Sequence, residues 1–267
     1  MKSKYPILIV IPHGGYSIPE ELSEYAGIDE FSLFMEADSC ANELFAFRDS
    51  VAGLLDTGIS RLFMDLNRPY QAVPPKSHDG VIRKTTTRGK ELFTGGCFPD
   101  EIAIAGLLKR YYFPFHDRIN SAVKSGKMRL IIECHTVAPV GPDSAGDAGR
   151  PRPVASVENI IESEGSVMET CRRDLAAGLL SEIENSLRGE DDGTGKRFAM
   201  KEGPSKGYIM RKYGHGAVPL VRLNISRSLF LNEKYFSYEY LRVDEIRIRR
   251  LRAMIWKAIE RFSAGYL

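Results

Sequence analysis

The stretch ILIVIPHGGYSIPEEL, residues 7–22, runs from an unbroken apolar segment, Ile7 to Ile11, directly into Pro12, His13, Gly14 and Gly15. Such an Ile/Leu/Val run reads as a strand covered on both faces, the central kind in an α/β sheet. Ligands in these sheets bind beyond the carboxyl ends of the strands. His13 therefore stands where a functional residue would stand, and the two glycines let the backbone approach closely to whatever the histidine holds. Taken alone, the same histidine also fits a hydrogen-bonded loop residue.

With 267 residues the chain has room for one large α/β domain, or two small ones, and a sizeable core. A net charge of +2 with balanced acids and bases argues against a dedicated nucleic-acid binder. Its most basic run, DEIRIRRLRAMIWKAIERF (residues 244–262), alternates with apolar residues at helical spacing and reads as a terminal helix packed on the outside with a solvated face. Cys40, Cys97, Cys134 and Cys171 are far apart and form no CxxC pair, which points away from a zinc ribbon or a disulfide framework. The N-terminus has a basic start, a short apolar run and no small-residue cleavage site, and no segment approaches membrane-spanning length. The expectation is a cytoplasmic protein with no membrane partner.

Residues 19–53 carry helical periodicity, acidic early and closed by Gly53. Residues 54–75 mix a short strand with a proline-stopped loop, and 80–98 read as an exposed polar loop or hairpin. A helix is expected from Pro99-Asp100-Glu101 to Gly126, broken or kinked at Pro114. MRLIIECHTVAP (128–139) is a second buried strand that also runs into a histidine. Residues 139–157, rich in Pro, Gly, Ala and Ser, read as a long mobile loop or lid. An amphipathic helix over 163–187, a turn-rich connection over 188–196, a loop-adjacent segment GYIMRKYG (207–214) and a third core strand in AVPLVRLNISRSLFL (217–231) complete the chain.

His13, the acids Glu36 and Asp38, and His135 all fall at or just past the ends of expected strands or helices. Two histidines and a carboxylate with an open fourth position make a catalytic zinc set. Two capping or core-satisfied histidines and a helix-surface acid remain the alternative.

The segments IPHGGYSIP (11–19), EADSCANELF (36–45), SRLFMDLNRP (60–69), YYFPFHDRI (111–119), IIECHTVAP (131–139), KGYIMRKYG (206–214) and NISRSLFLNE (224–233), in this order, resemble the N-formylglutamate amidohydrolase family, whose fold is similar to that of zinc carboxypeptidases and aspartoacylase. The resemblance covers nearly the whole chain, and the Ser-Arg-x-x-x-Asp-x-Asn-Arg-Pro block is its most specific piece. It implies Zn2+ held by His13, Asp38 and His135, with Glu36 in reserve, and assigns His116 to orienting substrate or stabilising an oxyanion, with helix packing as the alternative. Arg61, Asn67 and Arg68 suit an acidic substrate, because a guanidinium can make two parallel hydrogen bonds to a carboxylate; an Arg61–Asp65 ion pair bracing a turn is the competing reading. Lys206, Tyr208 and Arg211 are candidates for a second carboxylate, with Tyr208 equally suited to the core.

One position departs from the family. Amide hydrolysis needs a general base, and the family's glutamate at the end of a late strand falls here on Asn224. A carboxamide cannot take up and return a proton. Three readings follow: Glu133 or Glu36 substitutes, the alignment slips locally, or the protein binds without efficient turnover. The expected molecule is thus a single α/β domain over 1–267, a mixed, largely parallel sheet flanked by helices. It is expected to hydrolyse the amide of a small acidic N-acyl amino acid such as N-formyl-L-glutamate, as a monomer or homodimer. A binding protein without turnover and a peptide-trimming metallohydrolase are the alternatives.

Overall fold

The computed structural model describes residues 4–143, 145–190 and 198–267. Its order begins with β1 (Tyr5–Ile11), α1 (Glu30–Glu36), α2 (Ala41–Leu44), β2 (Val51–Asp56), α3 (Glu101–Leu107), α4 (Phe113–Lys124) and β3 (Leu130–Val137). It continues with β4 (Ala155–Glu158), β5 (Ile160–Ser163), β6 (Ser166–Glu169), α5 (Arg173–Leu187), β7 (Phe198–Met200), α6 (Tyr208–Tyr213), β8 (Leu220–Ser226) and α7 (Glu245–Tyr266). The main sheet runs β2-β1-β3-β8-β4-β7. Every pairing in it is parallel except that of β4 with β8. The sheet is mixed and largely parallel, with helices on both faces, as the apolar strand pattern implied.

Ile7 through Ile11 are all fully buried. Because side chains alternate along a strand, Ile7, Ile9 and Ile11 join α2, α5 and α7 on one face, with α5 packed on α7. Leu8 and Val10 join α4 and α6 on the other. On that second face Ile131 and Leu220 are core, but the next positions along their strands are Glu133 then His135, and Arg222 then Asn224. Register pairs Glu133 with Arg222 and His135 with Asn224. The site is built where the apolar stripe gives way to polar side chains, at the carboxyl edge of the sheet.

Several expected elements differ. The helical pattern over 19–53 is cut into a short turn at Glu20–Leu22, then α1 and α2, and Gly53 lies inside β2. Asp29 starts α1 by accepting a hydrogen bond from the Ser32 N–H at 2.7 Å. The chain leaves helical geometry at Ala37, and Cys40 adopts a left-handed φ of 59° before α2. The interruption expected at Pro114 takes the form of a π-helical turn over Leu108–Tyr112 just ahead of it, which separates α3 from α4 and leaves Pro114 in the first turn of α4. The expected 163–187 helix starts at Arg173, because Ser166–Glu169 pairs back on β5 as a hairpin. The last residues of the expected 139–157 loop enter the sheet as β4. Most of the connection over 188–196 lies outside the described residues. Among those described, no helix is long and apolar enough to cross a membrane.

Candidate active site

His13 follows β1, His135 lies on β3, and Asp38 sits in the turn between α1 and α2. That turn is pinned from several directions. The Asp38 N–H donates to the His13 carbonyl at 3.0 Å and the Cys40 N–H to the Tyr16 hydroxyl at 2.7 Å. Arg227, at the end of β8, donates to the carbonyls of Met35 (2.8 Å) and Ala37 (3.1 Å). The adjacent glycines serve chain packing: a Cβ at Gly14 would stand 2.2 Å from Asn42 Oδ1, and one at Gly15 would stand 2.2 Å from the Gly58 carbonyl carbon. They allow the loop after β1 to close against the segments that carry Asn42 and Gly58.

His13, Asp38 and His135 are buried, and each offers one ligand atom such that all lie within 4.8 Å of one another. His13 Nε2 donates to Asp65 Oδ1 at 2.8 Å, which fixes the tautomer and leaves Nδ1 as a lone pair, buried and without a partner. Burial, then the nearby Arg61 charge, lowers the His13 pKa to about 4, so the ring is neutral and ready to ligate. His135 Nδ1 lies 2.6 Å from Asp38 Oδ2, and its Nε2 lies 2.7 Å from Glu133 Oε1. Burial alone would lower its pKa, but Asp38 and Glu133 raise it. Asp38 is held at about 2: burial pushes it up, and the attraction of His135 and its hydrogen bond outweigh that. Each histidine thus turns one nitrogen inward and backs the other with a carboxylate, the arrangement that orients metal-binding histidines. The group fits a divalent cation of the zinc class, which prefers nitrogen and carboxylate ligands with an open position.

Asp65 braces this group. Beyond His13 it accepts from Arg61 Nη2 (3.0 Å) and the Asn67 N–H (2.9 Å), and its pKa lies well below the usual carboxylate range; burial opposes this, and His13 and Arg61 outweigh it. Replacing Asp65 with asparagine is expected to weaken zinc binding about 10–100-fold, read by competition against a chromophoric chelator; unchanged affinity would show that His13 needs no backing.

The group lies on a cavity of about 530 Å³. Arg61, Asn67, Arg68 and Asn224 also line it, as do Arg150, Arg152, Lys201 and Lys206. Arg68 reaches Asp79 through Nη2 (2.5 Å) and Nε to the carbonyl (3.1 Å). Asn67 is fully engaged, its Nδ2 donating to Glu133 Oε1 at 2.6 Å and its Oδ1 accepting from the Ile209 N–H at 2.8 Å. It holds β3 to α6.

Four candidate residues stand elsewhere. Glu36 accepts from the Thr87 N–H (3.0 Å) and hydroxyl (2.6 Å) and does not line the cavity. His116 donates from Nε2 to the Leu66 carbonyl at 3.1 Å and accepts from Tyr213 at 2.9 Å; burial, then Lys212, lowers its pKa to about 3. Tyr208 packs against the His116 ring, and Arg211 is exposed on α6; neither lines the cavity. Conversely, Glu158, Arg222 and Lys201 belong to the cavity wall and were not candidates. Arg222 was readable as the inward neighbour of Asn224 at strand period; Glu158 was hidden in a segment that reads as loop.

The family model described as N-formylglutamate amidohydrolase matches residues 5–231. The chain belongs to the N-formylglutamate amidohydrolase family. It is a family of amide hydrolases. The N-formylglutamate amidohydrolase from Ralstonia eutropha JMP134 shares the fold at 18% identity, with a TM-score of 0.70 over 98% of this chain and 96% of that one. The gene product Atu2144 from Agrobacterium tumefaciens shares it at 17% identity, with a TM-score of 0.62 over 97% and 92%. A metallo-carboxypeptidase from Burkholderia cenocepacia is a more distant match, at 14% identity and a TM-score of 0.38 over 99% of this chain and 58% of that one. No curated protein matches the chain.

Proposed function

We propose that this member of the N-formylglutamate amidohydrolase family is a zinc-dependent amidohydrolase acting on a small acidic N-acyl amino acid, with N-formyl-L-glutamate as the first substrate to test. The observation that carries the reading is the His13 Nδ1 lone pair, buried without a partner and facing Asp38 and His135 on a cavity rich in cations. His13, Asp38 and His135 would hold zinc, which when bound acts as a Lewis acid and brings the pKa of a coordinated water to about 7. Arg61, fixed by Asp65 and 3.7 Å from Asp38, suits the substrate carboxylate nearest the reacting carbonyl. Arg68 shares its charge with Asp79. Arg150 and Lys206, whose side chains have no hydrogen-bonding or ionic partner among the described residues, suit the second carboxylate.

A second reading has its own support: Asn224 lines the cavity where a proton-transferring side chain would be useful, which favours a binding protein without turnover. Formate release from N-formyl-L-glutamate by the zinc-loaded protein, alongside calorimetric binding, separates the two. Turnover that disappears on zinc removal is the expected result. Tight binding with no formate released would favour the second reading, and neither binding nor release would remove this substrate class.

A further inference from the structure

Hydrolysis of an amide requires one group to take a proton from the attacking water and deliver it to the departing nitrogen. Asn224 cannot do this. Its orientation is nevertheless informative. The Nδ2 donates to Ser156 Oγ at 3.2 Å and to Glu158 Oε1 at 3.1 Å, so the nitrogen is turned toward β4. Register places Ser156 opposite Asn224 and Glu158 opposite Arg222, all on the face that carries His135 and Glu133.

The remaining carboxylates near the cavity are bound to other groups, lie outside its wall or are exposed. Asp38 belongs to the metal-binding group. Asp147 grips Arg152 through both oxygens, at 2.6 and 2.8 Å. Glu202 lines the cavity but is exposed. Glu133 does not line the cavity, and its Oε1 already serves Asn67, His135 and Arg222. Glu158 is 3% exposed and lines the cavity. It receives Asn224, Lys201 at 3.0 Å and Arg222 at 3.5 Å.

Resting on the proposed amidohydrolase reading, we infer that Glu158 is the proton-transferring carboxylate: the function has moved from β8 to the adjacent antiparallel strand β4, and Asn224 is the amide that holds it. As the water oxygen bonds to the acyl carbon, Glu158 takes a proton from that water. When the C–N bond breaks, the same proton passes to the leaving amine nitrogen, so amide and water become carboxylic acid and amine; the acid's remaining proton then goes to the amine, giving carboxylate and ammonium, and Glu158 ends as it began. Burial pushes the Glu158 pKa up, while Arg222 and Lys201 outweigh that and hold it at about 2. The Lys201 side chain is 55% exposed and can be drawn away by a substrate carboxylate, which raises the proton affinity of Glu158 once substrate is bound. The pairing also accounts for the amide at 224, since a glutamate there would set a second carboxylate against Glu158.

The test compares zinc-loaded wild type, Glu158→Gln, Asn224→Glu and the double variant on N-formyl-L-glutamate, measuring kcat, KM and zinc content. Glu158→Gln is expected to lower kcat about 10²–10⁴-fold with zinc retained and KM little changed. The double variant should regain at least about tenfold over Glu158→Gln, since it restores one carboxylate and one amide with their places exchanged. Wild-type kcat in Glu158→Gln, or no recovery in the double variant, overturns the assignment. Should Glu158→Gln fail to fold, Glu158→Asp decides: reduced kcat at unchanged zinc content and KM supports the role, and unchanged kcat refutes it. A wild type that releases no formate would overturn the amidohydrolase reading itself and the assignment with it, an outcome distinct from an active wild type indifferent to Glu158.

Discussion

Replacing His13 with alanine is expected to abolish stoichiometric zinc binding and to reduce amide hydrolysis to background, the largest functional effect of any single change in the site. The reason is geometric. Asp65 occupies His13 Nε2, so Nδ1 is the ring's whole contribution to the group it shares with Asp38 and His135. Removing the ring also strips Asp65 of a buried partner. The loss should therefore exceed the about 10–100-fold that removal of an outer partner costs in metal affinity. Zinc content by elemental analysis and formate release report the two effects separately. A His13→Ala protein that still held one zinc per chain would mean the ion sits elsewhere.

The second large effect is on stability. A Cβ at Gly207 would stand 1.6 Å from Arg222 Nη2, so Gly207→Ala must displace the guanidinium. Gly207 has φ −67° and ψ 135°, a conformation alanine adopts freely, so the effect is steric. Arg222 cannot yield cheaply, because it bonds Glu133 at 2.9 Å on one side and approaches Glu158 on the other. Breaking such a buried pair costs about 3–5 kcal/mol. At about 2–4 °C per kcal/mol for a chain of this size class, the melting temperature should fall by roughly 10 °C, with weaker zinc binding as Glu133 loses its alignment behind His135. A calorimetric scan checks this; an unchanged melting temperature would show that Arg222 has room to move.

The parts of the fold readable from sequence were those decided by local pattern. The runs ending at His13 and His135 are apolar at their buried positions except for Glu133, and both became neighbouring strands, β1 and β3, with their histidines on one edge. The helix expected over 19–53 failed because its interruption is imposed from a distance: Tyr16 and Arg227 bind the Asp38 turn, and no residue inside the stretch announces that. β4 was hidden for a related reason. It is four residues long, follows a Pro/Gly-rich segment, and owes its place in the sheet to pairing with β8. Losing β4 meant losing Glu158. Asn67 and Arg68 were read as carboxylate binders from their chemistry, but their partners, Glu133 and Asp79, lie far off in sequence or in a loop, and only the folded chain shows how much of that capacity is spent.

The reversed strand β4 divides the labour of the chain. Everything that would grip the ion, and Asp65 and Glu133 behind it, comes from before residue 136. Arg61, Asn67 and Arg68 on the cavity wall come from before it too, whereas Arg150, Arg152, Glu158, Lys201 and Lys206 come from after it. Arg222 and Arg227 tie the later portion to Glu133 and the Asp38 turn, but Arg150 and Lys206 make no side-chain bond to the earlier one among the described residues. A chain organised this way can trade one acyl amino acid for another by changing exposed cations such as Arg150 and Lys206, leaving the ligands of the ion and Glu158 in place.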